Sequence, residues 1–544
     1  MRGKSPMMKV TVAAAAIALF ATACQSTEDP AAPADTGGTL RIGASEPSSL
    51  YPGFSDDSPS IVIIRQLYRG LVYYHPETGE PVMDNAESIE SSDNKVWTVK
   101  LKKGWKFSNG EDVTADSYIN AWNQTAYGPN ANNNSYFMSH IAGWKDLQAD
   151  DPDGDGPQKA PEPKAKTLSG LTKVDEHTFK VELDKPFVGF PVVVGYSGFF
   201  PNAKACLDDV AKCKENPIGN GPYKVDGAWK HNVEVKLVRN ESFAGEKGKA
   251  DSLVFTIYDK IETGYAAFEA GELDIWESVP APKYKDATTK FSERLFQKPS
   301  NSFTYVGFPL YQAKFQDKKL RQALSLAIDR QAIIDAVFSG RFSVAQGVVS
   351  PNFDGYRAGA CKYCKLDVAQ AKTLLEQAGG AAKVGKITLW ANAGAGHEDW
   401  LKAVGDQWKT NLGIDYELKV DLQFPEYLAT GDAAKFTGPF RLGWSPDYPV
   451  IETYLGPLYS TGGSSNNSRY KNPAFDALID QGNGAKSLDE GIKFYQQGED
   501  LVLEDMPVLP MWFGKVTNVY SENVAKYEYN TISGTDYHRI SVKK

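Results

Sequence analysis

Residues 95–123, KVWTVKLKKGWKFSNGEDVTADSYINAWN, decide the fold. Apolar and polar residues alternate through Val96, Thr98, Lys100 and their neighbours, the period of a half-buried strand. Asn109-Gly110 then turns the chain, and a helix starts with Thr114 as its cap and Asp116 in its first turn. Strand, turn and helix in this order form a structural module, and no ligand contact is assigned to it.

Upstream, TLRIGA at 39–44 reads as a strand broken by Pro47 and Pro52, and SIVIIRQLYRGLVYY at 60–74 as helix and then extended chain. Downstream, LTKVDEHTFKVEL alternates as strands. The glycines of GNGPY at 219–223 are expected to let the backbone turn tightly into the next strand. SLVFTIYDKIETGYAAFEAGELDIWESVP then reads as strand, helix and strand. Pro280 and Pro282 are candidates for a hinge, with a crossing between lobes expected near 278–300. Leu320, Ala323, Leu324, Ala327 and Ile328 recur at helical spacing, Asp329 and Asp367 can cap further helices, and Ser487 with Glu490 is spaced as a capping box. KITLWANAG and IDYELKVDLQF bracket a helix around 397–411, the pattern of βαβ units.

A chain of 544 residues is too long for one core and divides into two or three lobes. Its net charge of −9 comes with no basic run or stripe, which argues against nucleic acid as a partner. Arg2, Lys4 and Lys9 precede the short apolar run TVAAAAIALFA and the sequence ATAC ending at Cys24, a secretory signal over residues 1–23 with a lipobox-like site. Ala21 stands where leucine is usual. Cys24 is therefore the expected lipidation site, and residues 24–38 are a polar, Pro/Ala/Gly-rich tether. The other cysteines form two local pairs, Cys206 with Cys213 and Cys361 with Cys364, for which disulfides are the default in an exported protein. A zinc site or a redox-active CxxC are the alternatives.

The acidic loop ADDPDGDGPQKAPEPKAK at 149–166 fits the spacing of a calcium loop through Asp151, Asp153, Asp155, Gly156 and Glu162. Prolines at 152, 157 and 161 restrict the wrapping, so no metal and no cofactor is assigned.

The candidate site is RLGWSPDYP at 441–449, where Asp447 lies between Trp444 and Tyr448 and ahead of Pro449. A carboxylate between aromatic side chains suits an ammonium group; an ordinary surface turn is the alternative. This run and its continuation SSNNSRYKNPAFDALID resemble the oligopeptide- and dipeptide-binding proteins, the family 5 extracellular solute-binding proteins of bacterial ABC importers. The module at 95–123 carries the same resemblance in Trp97, Leu101, Phe107-Ser108, Gly110 and Val113-Thr114-Ala115, as do GNGPY and AAFEAGELD, so that it covers the chain from about residue 39 onward.

The resemblance implies an α/β, two-lobed periplasmic-binding-protein fold (type II, cluster C) with an extra subdomain. Residues 39–55, 190–280 and 508–544 would make lobe I, 56–189 the extra subdomain and 281–507 lobe II. It implies a monomeric lipoprotein at the outer face of the membrane that binds peptides between closing lobes and delivers them to permease subunits. By residue, it puts the anchor for the peptide α-amino group on Asp447, an aromatic neighbour on Trp444, a ligand carboxylate on Arg441 and, by analogy, first-lobe contacts on Asp56 and Ser58. Oligosaccharide binding by the same fold is the runner-up, because Trp and Tyr also stack on sugars. An exported hydrolase finds no support, for there is no G-x-S-x-G or H-E-x-x-H and the six histidines are scattered.

Overall fold

The strand predicted from the first quoted stretch spans Val96–Leu101, and it buries Trp97, Val99 and Leu101 on one face. The computed structural model describes residues 37–149 and 161–543. The signal, Cys24, most of the tether and Asp151, Asp153 and Asp155 of the acidic loop lie outside the described residues. Val96–Leu101 is an inner strand of a four-stranded antiparallel sheet, between Ala86–Glu90 and Thr178–Glu182, with Leu171–Asp175 at the far edge. The following helix, Ala115–Ala126, begins at Thr114 and lays Tyr118 and Trp122 on Phe179, with ring centroids 5.8 and 5.7 Å away.

A larger sheet of eleven strands organises the rest. At its centre, two 13-residue strands, Leu295–Gly307 and Val508–Tyr520, pair antiparallel. One end of the pair joins Ile275–Trp276, which leads on to Thr39–Ala44, Ser252–Ile257, Glu234–Arg239 and Tyr223–Val225. The other end joins Phe440–Trp444, Ile387–Asn392 and Tyr416–Leu422. The ladder between the long strands breaks between Pro299 and Phe303, because Pro299 cannot donate and the register shifts there. The helix Tyr284–Lys290 packs through Ala287 with Phe268, Trp276 and Val519, before this break. Pro280 and Pro282 accordingly sit in and beside a short helical turn, Ala281–Lys283.

Helices Lys318–Leu326, Arg330–Phe338, Val368–Gln377 and Glu398–Leu412 belong to the half that carries Phe440–Trp444. Asp329 and Asp367 cap theirs as expected, accepting from the amides of Ala332 and Gln370 at 3.0 Å. Both cysteine pairs are disulfides, Cys206–Cys213 and Cys361–Cys364. Among the described residues no helix is long and apolar enough to cross a membrane.

The role expected for the glycines of GNGPY is corrected. Neither Gly219 nor Gly221 has a positive φ, so no special turn conformation is in use. What they allow is contact between backbones. A Cβ on Gly219 would stand 1.9 Å from the carbonyl oxygen of Leu67, and one on Gly221 would stand 2.5 Å from its carbonyl carbon. The Gly221 amide donates to that oxygen at 2.8 Å, and Asn220 brackets Arg69 by accepting from its amide at 2.9 Å and donating to its carbonyl at 3.0 Å. The segment thus clamps the end of the helix Ser58–Leu67.

Candidate functional site

Strand Phe440–Trp444 pairs along its length with Leu295–Gly307, but with Ile387–Asn392 only at Phe440. Beyond Phe440 its other edge has no strand partner among the described residues, and Gly443 and Ser445 are exposed there. Pro446 and Pro449 keep the next residues out of the ladder, and in this turn lies Asp447, whose amide donates to Thr453 Oγ1 at 3.2 Å. Asp447 as a whole is half-buried. Oδ2 is shut off from water and has no hydrogen-bond donor, an arrangement that costs free energy until a donor arrives.

The groups that interact electrostatically with Asp447 come from distant parts of the chain. Arg65, on the helix Ser58–Leu67, supplies the opposing positive charge, and Tyr136, Tyr196, Tyr74 and Tyr454 also feel the Asp447 charge. Asp57 caps that helix, accepting from the Ser60 amide at 2.9 Å. Asp56, exposed at the cleft edge, accepts from Asn133 Nδ2 at 2.9 Å, and Asn134 Nδ2 holds the carbonyls of Pro52 and Ser55 at 2.7 and 2.9 Å. Burial first, and then the negative charges of Asp56 and Glu452, push the Asp447 carboxyl up to about 8, against the pull of Arg65 and Thr453. Asp56 is also raised, by desolvation and by Asp57 and Asp432, with Asn133 opposing.

Of the other expected site residues, Tyr448 is buried and its hydroxyl donates to Glu452, so it supports the turn from beneath. Trp444 is half-buried, with Nε1 lacking a partner. Ser58 is exposed and lines a separate cavity with Phe255, Trp276 and Tyr537. Arg441 lies six residues before Asp447, forms no ion pair among the described residues and leaves Nε buried without an acceptor. Burial lowers its pKa against the pull of Tyr427 and Tyr305. His397, pushed down to about 3 by burial and by Arg441, is neutral, and its Nδ1 accepts from Trp400 Nε1 at 3.3 Å. The chain therefore has a carboxylate awaiting a donor at one end of this segment and a guanidinium awaiting an acceptor at the other.

Sequence reading missed Arg65 and the four tyrosines. A single arginine inside the apolar helix run SIVIIRQL was the available signal, while nothing local marks the tyrosines.

The raised Asp447 carboxyl carries a stability consequence. A group whose folded pKa exceeds its unfolded value, here about 8 against 3.8, favours the fold fully below the lower value and loses that contribution as pH rises through the higher. Asp447→Asn in the ligand-free protein is expected to unfold like wild type at pH 4 and to be more stable at pH 8.5. The gain is about 1–3 kcal/mol after allowance for the partial exposure of Asp447. Denaturant midpoints at the two pH values measure it.

Residues 80–466 match the family described as bacterial extracellular solute-binding proteins, family 5 middle. The periplasmic murein peptide-binding protein MppA of Escherichia coli is 28% identical over 474 residues, covering 86% of each chain. The oligopeptide-binding protein OppA of Bacillus subtilis is 28% identical over 503 residues, covering 89% of each. The solved structure of the E. coli murein tripeptide-binding protein MppA superposes with a TM-score of 0.80 at 26% identity, covering 93% of this chain and 99% of that one.

Proposed function

Because the chain belongs to family 5 of the bacterial extracellular solute-binding proteins, we propose that it captures oligopeptides outside the cytoplasm and passes them to an ABC permease. The fold is the two-lobed α/β type II fold of periplasmic peptide-binding proteins. One observation carries the substrate reading: Asp447 Oδ2 is shut off from water and lacks a donor. The α-ammonium of a peptide would supply that donor and add a second positive charge to that of Arg65. Main-chain amides of the ligand would pair with the open edge beside Gly443, where affinity does not depend on side chains, and Trp444 would flank the first residues. Arg441 would receive the terminal carboxylate of a short peptide, since six residues of chain span at most about 20 Å. Asp56 and Ser58 would stand on the opposite wall.

Closure follows from the same elements. The break at Pro299–Phe303 is the bending point we assign, at the end of the span 278–300 expected to cross between lobes. We assign residues 39–55, 190–280 and 508–544 to lobe I, 56–189 to its extra subdomain and 281–507 to lobe II. Lys185 meets Asp480 at 2.7 Å, the Val188 amide donates to Asn483 O at 2.8 Å, and Asn94 Nδ2 donates to Ala485 O at 3.1 Å. These bonds join the 56–189 segment to the half that carries Asp447, and ligand contacts on both sides would favour that closed arrangement. A lipid on Cys24 would hold the whole at the outer face of the membrane.

The test counts protons. Below pH 8 the empty carboxyl is largely protonated, the bound ion pair is not, and binding should release close to one proton per peptide at pH 6.5. Titration calorimetry in two buffers of different ionisation enthalpy measures this number, and affinity should rise about tenfold from pH 6 to pH 7. Binding with no proton release would mean that the empty carboxyl is already ionised at pH 6.5, and peptide binding that Asp447→Ala leaves unchanged would remove Asp447 as the anchor. Saturable heat with oligosaccharides and none with peptides would favour the sugar reading.

A further inference from the structure

A second half-buried carboxylate stands apart from Asp447. Glu277 follows the short strand Ile275–Trp276 and accepts from the Tyr537 hydroxyl at 2.7 Å and from Thr535. Tyr527 and Tyr529 lie within reach of its charge. No lysine, arginine or histidine pairs with Glu277 among the described residues, and burial raises its carboxyl pKa. A cavity of about 280 Å³ opens beside it, walled by Val62, Phe255, Tyr258, Trp276 and Tyr537. Asp259, exposed at the rim, is the other acid of the lining, which includes no basic residue. That volume falls just short of the roughly 300 Å³ at which sites for whole small molecules begin, so it suits one side chain. An acid held only by hydroxyls among aromatic rings is the environment in which an incoming cation gains most.

We propose that this cavity takes one long cationic side chain of the bound peptide, with its ammonium or guanidinium on Glu277 and its methylenes against the aromatic walls. The inference rests on the peptide reading. Ser58 and Val62, which line the cavity, lie on the helix that also carries Arg65. Seven residues of helix, about 10 Å, separate Ser58 from Arg65. One helix thus borders the cavity and also bears the arginine whose charge acts on Asp447.

The experiment uses the soluble chain starting after Cys24 and alanine pentapeptides carrying lysine or its uncharged isostere norleucine at each position in turn. Wild type should bind the lysine peptide at least tenfold tighter than its norleucine twin at one position. Glu277→Gln should reduce that ratio to threefold or less. Equal binding of both twins at every position in wild type would overturn the inference without use of the variant. A preference that survives in Glu277→Gln would also overturn it and point instead to Asp56 and Asp432. Failure of every pentapeptide to bind would sink the peptide reading itself and this inference with it.

Discussion

Asp447→Ala should lower the affinity for peptides with a free amino terminus by 10- to 100-fold, about 1.4–2.7 kcal/mol. The range reflects two opposing effects. Loss of a charge-assisted hydrogen bond in an enclosed site costs about 1.5–3 kcal/mol. Removal of the charge that Asp56 and Glu452 repel returns part of it. Acetylation of the peptide removes the same contact from the other side. In wild type it should cost at least tenfold, whereas in Asp447→Ala it should cost less than threefold, because two changes to one contact do not add. Calorimetric titration of the four combinations measures the coupling. Two independent, additive losses would mean that the amino terminus is held elsewhere.

Gly219→Ala is expected to cause the largest loss of stability, about 3 kcal/mol, at the upper end of what overpacking usually costs. The added methyl would stand 1.9 Å from Leu67 O and 2.7 Å from Leu67 C, and backbone cannot rotate aside as a side chain can. The segment also holds the end of the helix that bears Arg65, so peptide affinity should fall with stability. Gly271 is the control, with a φ of +81° and nothing within 4 Å of the added atom. Gly271→Ala carries only the conformational strain, about 1 kcal/mol, and should leave binding intact. Denaturant midpoints of the two variants separate the mechanisms. Equal, small losses would mean that the helix end simply moves away.

The contrast between these glycines shows what was legible in the chain. Local signals carried far. The alternation at 95–101, the apolar positions at Leu320, Ala323 and Leu324, and the caps at Thr114, Asp329 and Asp367 all led to the observed elements, because each depends on residues a few positions apart. The capping box at Ser487 is half of what its spacing suggested. Ser487 Oγ accepts from the Glu490 amide at 3.2 Å, but the Glu490 carboxylate turns to the amide of Lys486 at 3.0 Å. Contacts between distant segments left no comparable trace. The glycines of GNGPY announce a special backbone position, yet the need comes from Leu67, about 150 residues earlier. In the same way Asp447 could be singled out by its neighbours Trp444 and Tyr448, while the charge and rings that face it, Arg65, Tyr74, Tyr136 and Tyr196, arrive by tertiary folding.

The most direct test of peptide capture is calorimetric titration of the soluble wild-type chain, starting after Cys24, with a mixed pool of tri- to pentapeptides and, separately, with oligosaccharides. Saturable binding of peptides, with proton release at pH 6.5 and none of sugars, is the predicted result. Silence with peptides beside saturable binding of an oligosaccharide would leave the fold intact and contradict the function.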